Sequence, residues 1–492
     1  MSIDAQPTLG QTSQETSQET SQETSQETLE NWLDQITDDE IATARQLSLV
    51  PLKSTILHHG DPGGATVYDH KGQAYIDCTA QAWTLNVGYC HPDVIAAIEA
   101  QMRRLTHVRY AYPTIPRLKL IRRLATMFPG SPYQVCLNVQ GGGAANEAAM
   151  KLAMINKPGA DIFLVASHGY HGASLATLTA SQYFPMVTRF PSFGRAHFVR
   201  FPYPYCYRCP LAKEPRTCGL ACLDLVEQAI RSAHGVVAGL LIEPMQGAGG
   251  QVPTPPGYLA GLKELCQQHD IFLIFDECQT AFGRVGVMSA AEYYNVAPDM
   301  LVLSKALGGG LPIGALLARS DLGLKGFTSA EEHTTFGSAP LSFAAALANI
   351  AVIEREGLCE RSRIMGEMVT ARLRQLQEEV DIIGDVRCPG LFIGVELVED
   401  RESKTPATER AAAFVELAKQ AGVLFDVSMP EIVRGRLTMR NVIKIKPPLT
   451  ITEEEMEQVL ETFTFCVQQV AQIPASMKQD IVRQMMAEAN LA

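Results

Sequence analysis

The sequence predicts an α/β protein with a mostly parallel β-sheet, completed by a second, smaller subdomain. From about residue 133, short apolar segments of strand length alternate with segments of helical composition, as is typical of a parallel sheet with crossover helices. Each apolar segment is followed directly by polar or glycine-rich residues. Because ligands of open α/β sheets bind beyond the carboxyl ends of the strands, this order predicts one shared site at that edge.

The individual elements follow from apolar periodicity and from turn residues. The strands predicted for the sheet are Tyr133–Val139, Asp161–Ala166, Gly235–Ile242, Ile271–Phe275 and Met300–Leu303. A helix is predicted over Ala144–Asn156, where a run of Ala, Met and Leu is stopped by Lys157-Pro158-Gly159. The pattern beyond about residue 365 predicts a long amphipathic helix, strands over Gly384–Leu397 and Asn441–Lys446, and a last helix to about Ala471. Near the N-terminus, Val67–Asp77 has the pattern of a β-hairpin around a Lys-Gly turn.

The predicted organisation has a tail, an N-terminal part of a small domain, a large domain, the C-terminal part of the small domain, and a second tail. The corresponding boundaries are 1–28, 29–108, 109–365, 366–472 and 473–492. Residues Ser13 to Thr28 repeat Ser-Gln-Glu-Thr four times with no apolar residue to bury, which predicts disorder. The composition favours a solvated, dispensable extension over a docking tail.

Composition and charge limit the classes of partner. The 492 residues are 46% hydrophobic, and 41 Lys and Arg against 53 Asp and Glu give a net charge of −12. This charge opposes binding to nucleic acid or to an anionic membrane, so the expected ligands are small molecules. The N-terminus lacks a signal-peptide pattern and the apolar runs are too short to span a bilayer, so a cytoplasmic enzyme is expected. Twelve Cys in a chain of this length are compatible with a reducing compartment.

Lys305 is the first candidate catalytic residue. It follows the apolar strand Met300–Leu303 and precedes the glycines at 308–310. A partly desolvated lysine has a lowered pKa, and its neutral amine can attack a carbonyl to form a Schiff base. A lysine that only extends its ammonium to solvent at a strand end is the structural alternative.

Three neighbouring segments favour the catalytic interpretation. Asp276 ends an apolar strand, where a carboxylate can keep the ring nitrogen of pyridoxal phosphate (PLP) protonated; helix capping and metal binding are its alternatives. Gly141–Glu147 offers backbone amides and a helix N-terminus to a phosphate, without the pattern of a nucleotide-binding loop. Tyr170, in Ser167–Gly172, can stack on an aromatic ring or be an ordinary half-buried aromatic.

Taken together, these segments resemble the class III (ω-type) aminotransferases of PLP fold type I, from about residue 45 to residue 470. The cofactor-binding signature of that family is matched nearly throughout by Asp276-Glu-Cys-Gln-Thr-Ala-Phe-Gly-Arg-Val-Gly286 and by Pro298-Asp-Met-Leu-Val-Leu-Ser-Lys-Ala-Leu-Gly-Gly-Gly-Leu-Pro-Ile-Gly314. Further matches are Gly88–Pro92, Glu243–Gly247, His333–Gly337 and Val386–Glu396. The resemblance implies a large domain with a mostly parallel sheet and a small α+β domain built from N- and C-terminal segments.

The resemblance also implies a role for each matching residue. Lys305 would carry PLP as a Schiff base and shuttle the proton, while Asp276 would pair with the ring nitrogen. The other cofactor contacts it implies are Gly142 and Gly143 at the phosphate, Tyr170 stacked on the ring, Gln279 at the ring's 3-oxygen, Glu243 beside the ring, and Thr335 at the phosphate of the neighbouring subunit. Trp83 and Lys444 would contact substrate. The implied assembly is a homodimer with shared active sites, acting on an amine or amino-acid donor and a 2-oxo acid acceptor.

Two departures from the family pattern bear on the substrate. Many relatives have Arg before the Pro-Pro pair near the C-terminus, but here Lys444 aligns with it, and an ammonium lacks the bidentate guanidinium fork. Relatives that use γ- or δ-amino acids often have a Glu where this chain has Ala248, so the two changes together speak against a 4-aminobutyrate or ornithine substrate. Phospho-lyase relatives share the Lys.

Other reactions on the same scaffold remain open, because the pocket decides which bond at Cα breaks. Gly394–Ala407 resembles dialkylglycine decarboxylase, but the Gln which that enzyme uses near the scissile carboxylate aligns with Ala82, which disfavours decarboxylation. Racemisation, phosphate elimination and a PLP-binding protein without turnover are the remaining alternatives.

Four cysteines form a separate cluster in the sequence: Cys206, Cys209, Cys218 and Cys222. Two close pairs of thiols can bind zinc or an iron–sulfur cluster, or form disulfides. The C-x3-C spacing of the second pair is unusual and PLP chemistry needs no metal, so free thiols are favoured and no metal is expected. His91 and His171 are not expected to be metal ligands, because each lies in a family motif without a partner at ligand spacing.

Overall fold

The computed structural model describes residues 34–182, 195–428, 430–433, 436–439 and 441–473. The predicted disordered tail, 1–28, and all but the first residue of the predicted C-terminal tail, 473–492, lie outside them. Of the described residues, 34–59 and 68–73 belong to one compact unit, and the others belong to a second, much larger unit. No helix in these described ranges is long and apolar enough to cross a membrane.

The smaller unit contains helix α1 (Asp38–Leu47), which starts at a capping box. The Thr37 hydroxyl accepts a hydrogen bond from the Glu40 amide at 3.3 Å, and the Glu40 carboxylate accepts one from the Thr37 amide at 2.8 Å. This reciprocal pair satisfies two of the amides that a helix start leaves without partners. In the same unit, the rings of His59 and Tyr68 stack with centroids 4.6 Å apart.

The remaining elements have the following bounds. The strands are β1 (Leu57–Gly60), β2 (Thr66–Asp69), β3 (Ala74–Asp77), β4 (Tyr133–Cys136), β5 (Ala160–Ala166), β6 (Phe198–Phe201), β7 (Val236–Ile242), β8 (Met245–Gln246), β9 (Val252–Pro253), β10 (Phe272–Asp276), β11 (Met300–Leu303), β12 (Ala315–Arg319), β13 (Ile383–Arg387), β14 (Ile393–Asp400), β15 (Thr405–Pro406), β16 (Val423–Leu424), β17 (Asp426–Val427), β18 (Pro430–Val433), β19 (Arg436–Met439) and β20 (Val442–Ile445). The helices after α1 are α2 (Ala80–Trp83), α3 (Pro92–Met102), α4 (Ile115–Leu124), α5 (Gly142–Asn156), α6 (Leu175–Ala180), α7 (Cys222–Arg231), α8 (Tyr258–Gln268), α9 (Ala290–Tyr293), α10 (Pro340–Arg355), α11 (Leu358–Glu379), α12 (Thr408–Gln420) and α13 (Glu453–Ala471).

A seven-stranded sheet with the order β4-β12-β11-β10-β7-β5-β6 forms the centre of the large unit. The pairs β11/β10, β10/β7, β7/β5 and β5/β6 are parallel, whereas β12 runs antiparallel to both of its neighbours. The middle strands are buried along nearly their whole length, because helices cover both faces. The predicted mostly parallel sheet is therefore confirmed, although neither β6 nor β12 was anticipated.

A second sheet, with the order β13-β14-β20-β17, is built from the C-terminal part of the chain. The segment predicted over Gly384–Leu397 is two antiparallel strands, because Pro389 lacks an amide donor and Gly390 has φ 58°, which turns the chain between them. The N-terminal strand β3 pairs in parallel with β16, which joins N- and C-terminal segments as expected. The Lys71-Gly72 turn of the predicted hairpin is closed by a hydrogen bond from the Asp69 amide to the Gln73 carbonyl at 3.0 Å.

Arg284 is the largest side chain that is fully buried in this unit. Its guanidinium donates to the carbonyls of Leu391 at 3.1 Å and Pro447 at 2.6 Å, and to Oδ1 of Asn86 at 2.7 Å. These three acceptors come from distant parts of the chain, so one side chain links the loop after β10 to N- and C-terminal segments. These bonds give both terminal nitrogens of the buried guanidinium acceptors, which offsets much of the cost of burying its charge.

We expect Arg284→Met to destabilise the protein by about 3 kcal/mol, because it fills similar space but leaves buried carbonyl groups without donors. The free energy of unfolding in denaturant measures the loss. Arg363→Met is the matched control, since Arg363 forms ion pairs only on an exposed helix face and its loss should matter little. Equal stability of the two variants would contradict the linking role of Arg284.

Candidate active site

The candidate site lies where the parallel strands end, as the sequence predicts. Asp276 is the last residue of β10, and Glu243 directly follows β7. Lys305 is the second residue after the end of β11. These strands are neighbours in the central sheet, so their carboxyl ends bring the three ionisable groups to one edge. Helix α5, with Gly142 and Gly143 as its first residues, begins at the same edge.

Asp276 is buried, and both of its carboxylate oxygens have hydrogen-bond partners. Oδ2 accepts from Nδ2 of Asn146 at 2.8 Å and lies 2.9 Å from Nδ1 of His171, while Oδ1 accepts from the Cys278 amide at 3.1 Å. Burial by itself would raise the pKa of Asp276, but the hydrogen bond and charge of His171, with the charge of Lys305, bring it below its ordinary value. The carboxylate therefore stays ionised across the physiological pH range.

His171 and Asn146 are site residues that the sequence interpretation did not identify. His171 follows Tyr170 directly and was considered only as a metal ligand, and Asn146 was included only as part of a phosphate loop. The available signal was their position after strand ends that converge on Asp276. Both side chains orient that carboxylate and stabilise its charge.

Lys305 lies between two aromatic rings. Its ammonium is 5.9 Å from the ring centroid of Trp83 and 5.9 Å from that of Tyr170. Lys305 also has φ 42°, a left-handed backbone conformation that is rare for a residue other than glycine and occurs often at functional sites. The alternative of a lysine that merely extends into solvent does not fit a side chain held between two rings.

Trp83 reaches this place through an uncommon local structure. Residues Ala80 to Trp83 all have positive φ values, between 41° and 67°, so they form a single left-handed turn. Such a turn costs about 1–2 kcal/mol per residue for L-amino acids. The buried carboxylate of Asp77 supports the turn, since it accepts hydrogen bonds from the amides of Thr79 and Gln81 and from the Tyr89 hydroxyl.

Two further lysines lie against Trp83. The ammonium of Lys444 is 4.9 Å and that of Lys446 is 4.0 Å from the indole centroid. Both residues are in or next to β20, in the interior of the second sheet, and both are buried. The alternative in which Lys444 points to solvent from an edge strand is therefore wrong.

The two lysines differ in their partners. Lys446 donates to the Thr79 carbonyl at 2.7 Å and to the Asp426 carboxylate at 2.6 Å, so its role here is structural. Burial, with a smaller contribution from the charge of Lys446, lowers the pKa of Lys444 to about 8, although the charges of Asp426 and Glu243 act in the opposite direction. The ammonium of Lys444 therefore loses its charge at a pH only slightly above neutral, and a bound anion would stabilise the charged form.

Glu243 organises the opposite side of the site. Its carboxylate accepts hydrogen bonds from the amides of Tyr170 at 2.9 Å and Gly247 at 3.0 Å, and from Nε2 of Gln279 at 3.2 Å. Burial raises its pKa to about 7 in spite of these donors. A Cβ at Gly247 would collide with the Gln279 amide, so glycine is required for this packing.

The other predicted residues are divided between this site and the surface. Gly142 and Gly143 open α5 without a side-chain cap, which leaves the first amides available to an anion. Thr335 lies in an exposed turn of this chain. Ala248 is buried in the loop between Gly247 and Gln251, so this position carries a methyl group and not a carboxylate.

The residues at the strand ends fit PLP. Nε1 of Trp83 and Oε1 of Gln279 are, within the described chain, buried polar atoms without a hydrogen-bond partner. To hold the ring and the phosphate of PLP, a site needs an amine, an ionised carboxylate, an aromatic face and free amides at a helix start. Lys305, Asp276, Tyr170 and the start of α5 supply these groups at one edge of the sheet.

The four cysteines of the sequence cluster are all free thiols. They line one small cavity next to Pro204 and Pro255. Within the part of the chain that the structure describes, no three His, Cys, Asp or Glu side chains are already arranged to hold a metal ion.

Comparisons with known proteins agree with this geometry. Residues 54–467 match the family described as aminotransferase class-III. The chain is 35% identical over 398 residues to an acetylornithine aminotransferase of Methanosarcina mazei, covering 81% of this chain and 88% of that protein. It is 33% identical over 401 residues to a leucine/methionine racemase of Thermococcus litoralis, covering 81% and 87%. Among solved structures, a PLP-bound amine transaminase from an uncultivated Pseudomonas species matches with a TM-score of 0.78 at 28% identity, covering 85% of this chain and 95% of that one.

Proposed function

The chain belongs to the class-III aminotransferases of PLP fold type I, and on this premise we propose that Lys305 is the residue that binds the cofactor covalently and moves the proton during transamination. The protein is a PLP-dependent enzyme that transfers an amino group from an amine or amino-acid donor to a 2-oxo acid. The observation that carries the assignment of Lys305 is the position of its amine 5.9 Å from the rings of both Trp83 and Tyr170, just after the strand that pairs with the Asp276 strand.

Each neighbouring residue has a part in this reaction. PLP supplies an electrophilic carbonyl and a ring that accepts electrons from the substrate. Asp276, kept ionised by His171 and Asn146, holds a proton on the ring nitrogen and so maintains the electron demand of the ring. The amides at Gly142 and Gly143 bind the phosphate. Lys305 takes a proton from one carbon and returns it to another.

Glu243 and Gln279 orient the groups beside the ring. Gln279 donates Nε2 to Glu243, which leaves Oε1 available to the cofactor. Because Glu243 also holds the Tyr170 amide, one buried carboxylate positions both the stacking ring and the amide. This arrangement supports the role of Tyr170 as the face on which the cofactor ring stacks.

Lys444 is our candidate for the group that binds the substrate anion. It lies at the indole of Trp83 together with Lys305, so a donor whose amine meets Lys305 has a cation within reach. A single ammonium grips a carboxylate less specifically than a guanidinium fork does. We therefore propose donors with one anionic group and a tolerant geometry, rather than 4-aminobutyrate or ornithine.

Racemisation is the second candidate function, and the similarity to a leucine/methionine racemase favours it. Both reactions begin with removal of a proton from Cα, and they differ in where that proton returns. An aminotransferase without an acceptor stops after one turnover per site, whereas a racemase continues to interconvert enantiomers. Incubation of the holoenzyme with single-enantiomer amino acids, with and without 2-oxo acids, separates them.

We also propose a homodimer with shared active sites. An exposed apolar surface runs from α4 to the turn that carries Thr335, and its members are Tyr112, Ile115, Leu118 and Phe336. The Tyr110 ring stacks on His333 at 4.6 Å, which joins the two parts of this surface. A second copy would cover it and bring its own Thr335 to the phosphate of the first.

We expect light scattering of the holoenzyme to give twice the chain mass, and Ile115→Glu to shift the protein towards the monomer, since a charge at the apolar surface opposes association. Ile364→Glu is the control, as Ile364 is also an exposed isoleucine and lies on α11, outside this surface. A monomeric wild-type protein with full activity would rule out shared sites.

Lys305→Ala should lower turnover by on the order of 10²–10⁴-fold or more, because both the covalent link and the proton shuttle are lost. The variant should still bind PLP non-covalently, since the amides at Gly142 and Gly143 remain. Steady-state exchange of amine and 2-oxo acid, with the absorbance of bound cofactor, measures both effects. Lys325→Ala, at an exposed lysine, is the control. Normal rates in Lys305→Ala would show that another lysine is catalytic.

Lys444 variants should change the use of anionic donors. Lys444→Ala should lower kcat/KM for them by about tenfold, and Lys444→Arg should favour α-carboxylates by a similar factor. Because the pKa of Lys444 is lowered to about 8, its charge is lost as the pH rises through that value, so KM for an anionic donor should increase above about pH 8 in the wild type only. Uncharged amines are the matched control substrates. Unchanged kinetics for every class of donor would remove Lys444 from substrate binding.

A further inference from the structure

The segment between β6 and α7 brings four cysteines to one place. Cys206 and Cys209 flank a short 3-10 turn, Cys218 precedes a tight turn, and Cys222 is the first residue of α7. All four line a single cavity of about 40 Å³. This volume is far below that of pockets for organic ligands, which are roughly 300–1,000 Å³. The cavity can accommodate an ion but not a substrate or cofactor.

The four thiols lie close together around this cavity. Burial raises the pKa of Cys206, and Cys209 and Cys218 raise it further. Burial likewise raises the pKa of Cys222 to about 11, and the other three thiols contribute in the same direction. As neutral thiols they offer only weak hydrogen bonds, such as the one from the Lys213 amide to Sγ of Cys209 at 3.5 Å.

We propose that Cys206, Cys209, Cys218 and Cys222 bind one zinc ion. Zn²⁺ takes four ligands in a tetrahedron and prefers soft thiolate sulfur, whereas Mg²⁺ and Ca²⁺ require oxygen ligands. Among the described residues that line the cavity there is no histidine or carboxylate, so the ligand set is purely thiolate. Binding releases the four thiol protons to solvent, and the ion replaces them as the partner of the sulfurs.

The sulfurs have to converge for this, because they do not yet have metal-ligand geometry. Rotation of the four short side chains that line the cavity is the movement we propose for this, and each pair is adjacent to a sharp turn. Ala212 has φ 51°, and Gly219 and Leu220 have φ 58° and 59°, so the chain reverses direction after Cys209 and again inside the second pair. The turn inside the second pair is closed by a hydrogen bond from the Ala221 amide to the Cys218 carbonyl at 3.1 Å, so it keeps Cys218 and Cys222 near each other.

The zinc would be structural, and the contacts of the segment show what it would stabilise. The Tyr203 hydroxyl accepts a hydrogen bond from the Gln246 amide at 3.2 Å, in the loop that follows Glu243. Nε of Arg208 donates to Glu396 at 2.5 Å, and the Tyr205 hydroxyl also bonds to that carboxylate. A cross-link among the cysteines would hold this segment against the loop beside the active site, without taking part in catalysis.

The test is elemental analysis of the purified holoenzyme, grown and purified without chelator, by inductively coupled plasma mass spectrometry. We expect one zinc per chain, retained in Lys305→Ala, because the metal site does not depend on the catalytic lysine. The double variant Cys206→Ser/Cys222→Ser should lose the zinc and unfold at lower temperature, while the exposed Cys90→Ser control keeps both. Cobalt added to the zinc-free protein should give the absorption bands of tetrahedral thiolate coordination.

The wild-type analysis decides the proposal even if the double variant fails to fold. Wild-type protein that contains PLP but no zinc, and whose four thiols react with a thiol reagent while it is folded, would overturn it. Mass spectrometry that finds disulfides between these cysteines, or iron with inorganic sulfide in place of zinc, would overturn it as well. Because zinc content is measured without any substrate, failure here leaves the aminotransferase proposal untouched, and the reverse also holds.

Discussion

The candidate site depends on the compensation of positive charge, because three buried or half-buried lysines lie around one indole ring. Lys305, Lys444 and Lys446 all lie within 6 Å of Trp83, and positive charges at this density in a poorly solvated place have to be compensated. Asp426 compensates Lys446 by direct contact, and Asp276 and Glu243 lie on the opposite side. Burial is the main reason for the lowered pKa of Lys444 and the charge of Lys446 acts in the same direction, so an anion bound there would stabilise its charge.

The indole that these lysines share is held by a strained turn, and the strain is supported locally. Four successive residues with left-handed backbone angles would be unfavourable by several kcal/mol at about 1–2 kcal/mol each. The carboxylate of Asp77 accepts hydrogen bonds from the turn and from Tyr89, and Lys446 donates to the Thr79 carbonyl at the start of the same turn. The lysine cluster and the turn therefore stabilise each other, so a change in one is expected to displace the other.

At the edge of the central sheet, the carboxylate of Asp276 stays ionised although it lies in the interior. Asp276 has lost its hydration, and His171 and Asn146 replace the lost water with fixed donors. Glu243, at the same edge of the sheet, accepts three hydrogen bonds, and yet burial still raises its pKa to about 7. The charge of His171 lowers the pKa of both carboxylates, but Asp276 also has a direct hydrogen bond with His171 and the charge of Lys305, whereas the charge of Asp276 raises the pKa of Glu243. Two similar side chains at adjacent strand ends thus have different protonation behaviour.

The sequence by itself determined the fold class and the strand ends at which Lys305, Asp276 and Glu243 lie, because period, strand length and the residues after each strand are local properties of the chain. The PLP-dependent aminotransferase function followed from the resemblance of its motifs to a known family. The detailed roles of those residues stay predictions. Only the tertiary structure showed that His171 and Asn146 contact Asp276, that Lys446 and Asp426 form a pair, that Lys444 is in the interior of a sheet, and that four cysteines line one cavity. Each of these facts is a contact between residues that are distant in sequence or a burial that depends on which strands become neighbours. Local pattern carries no information on such contacts, because they arise only when the whole chain has closed around its core.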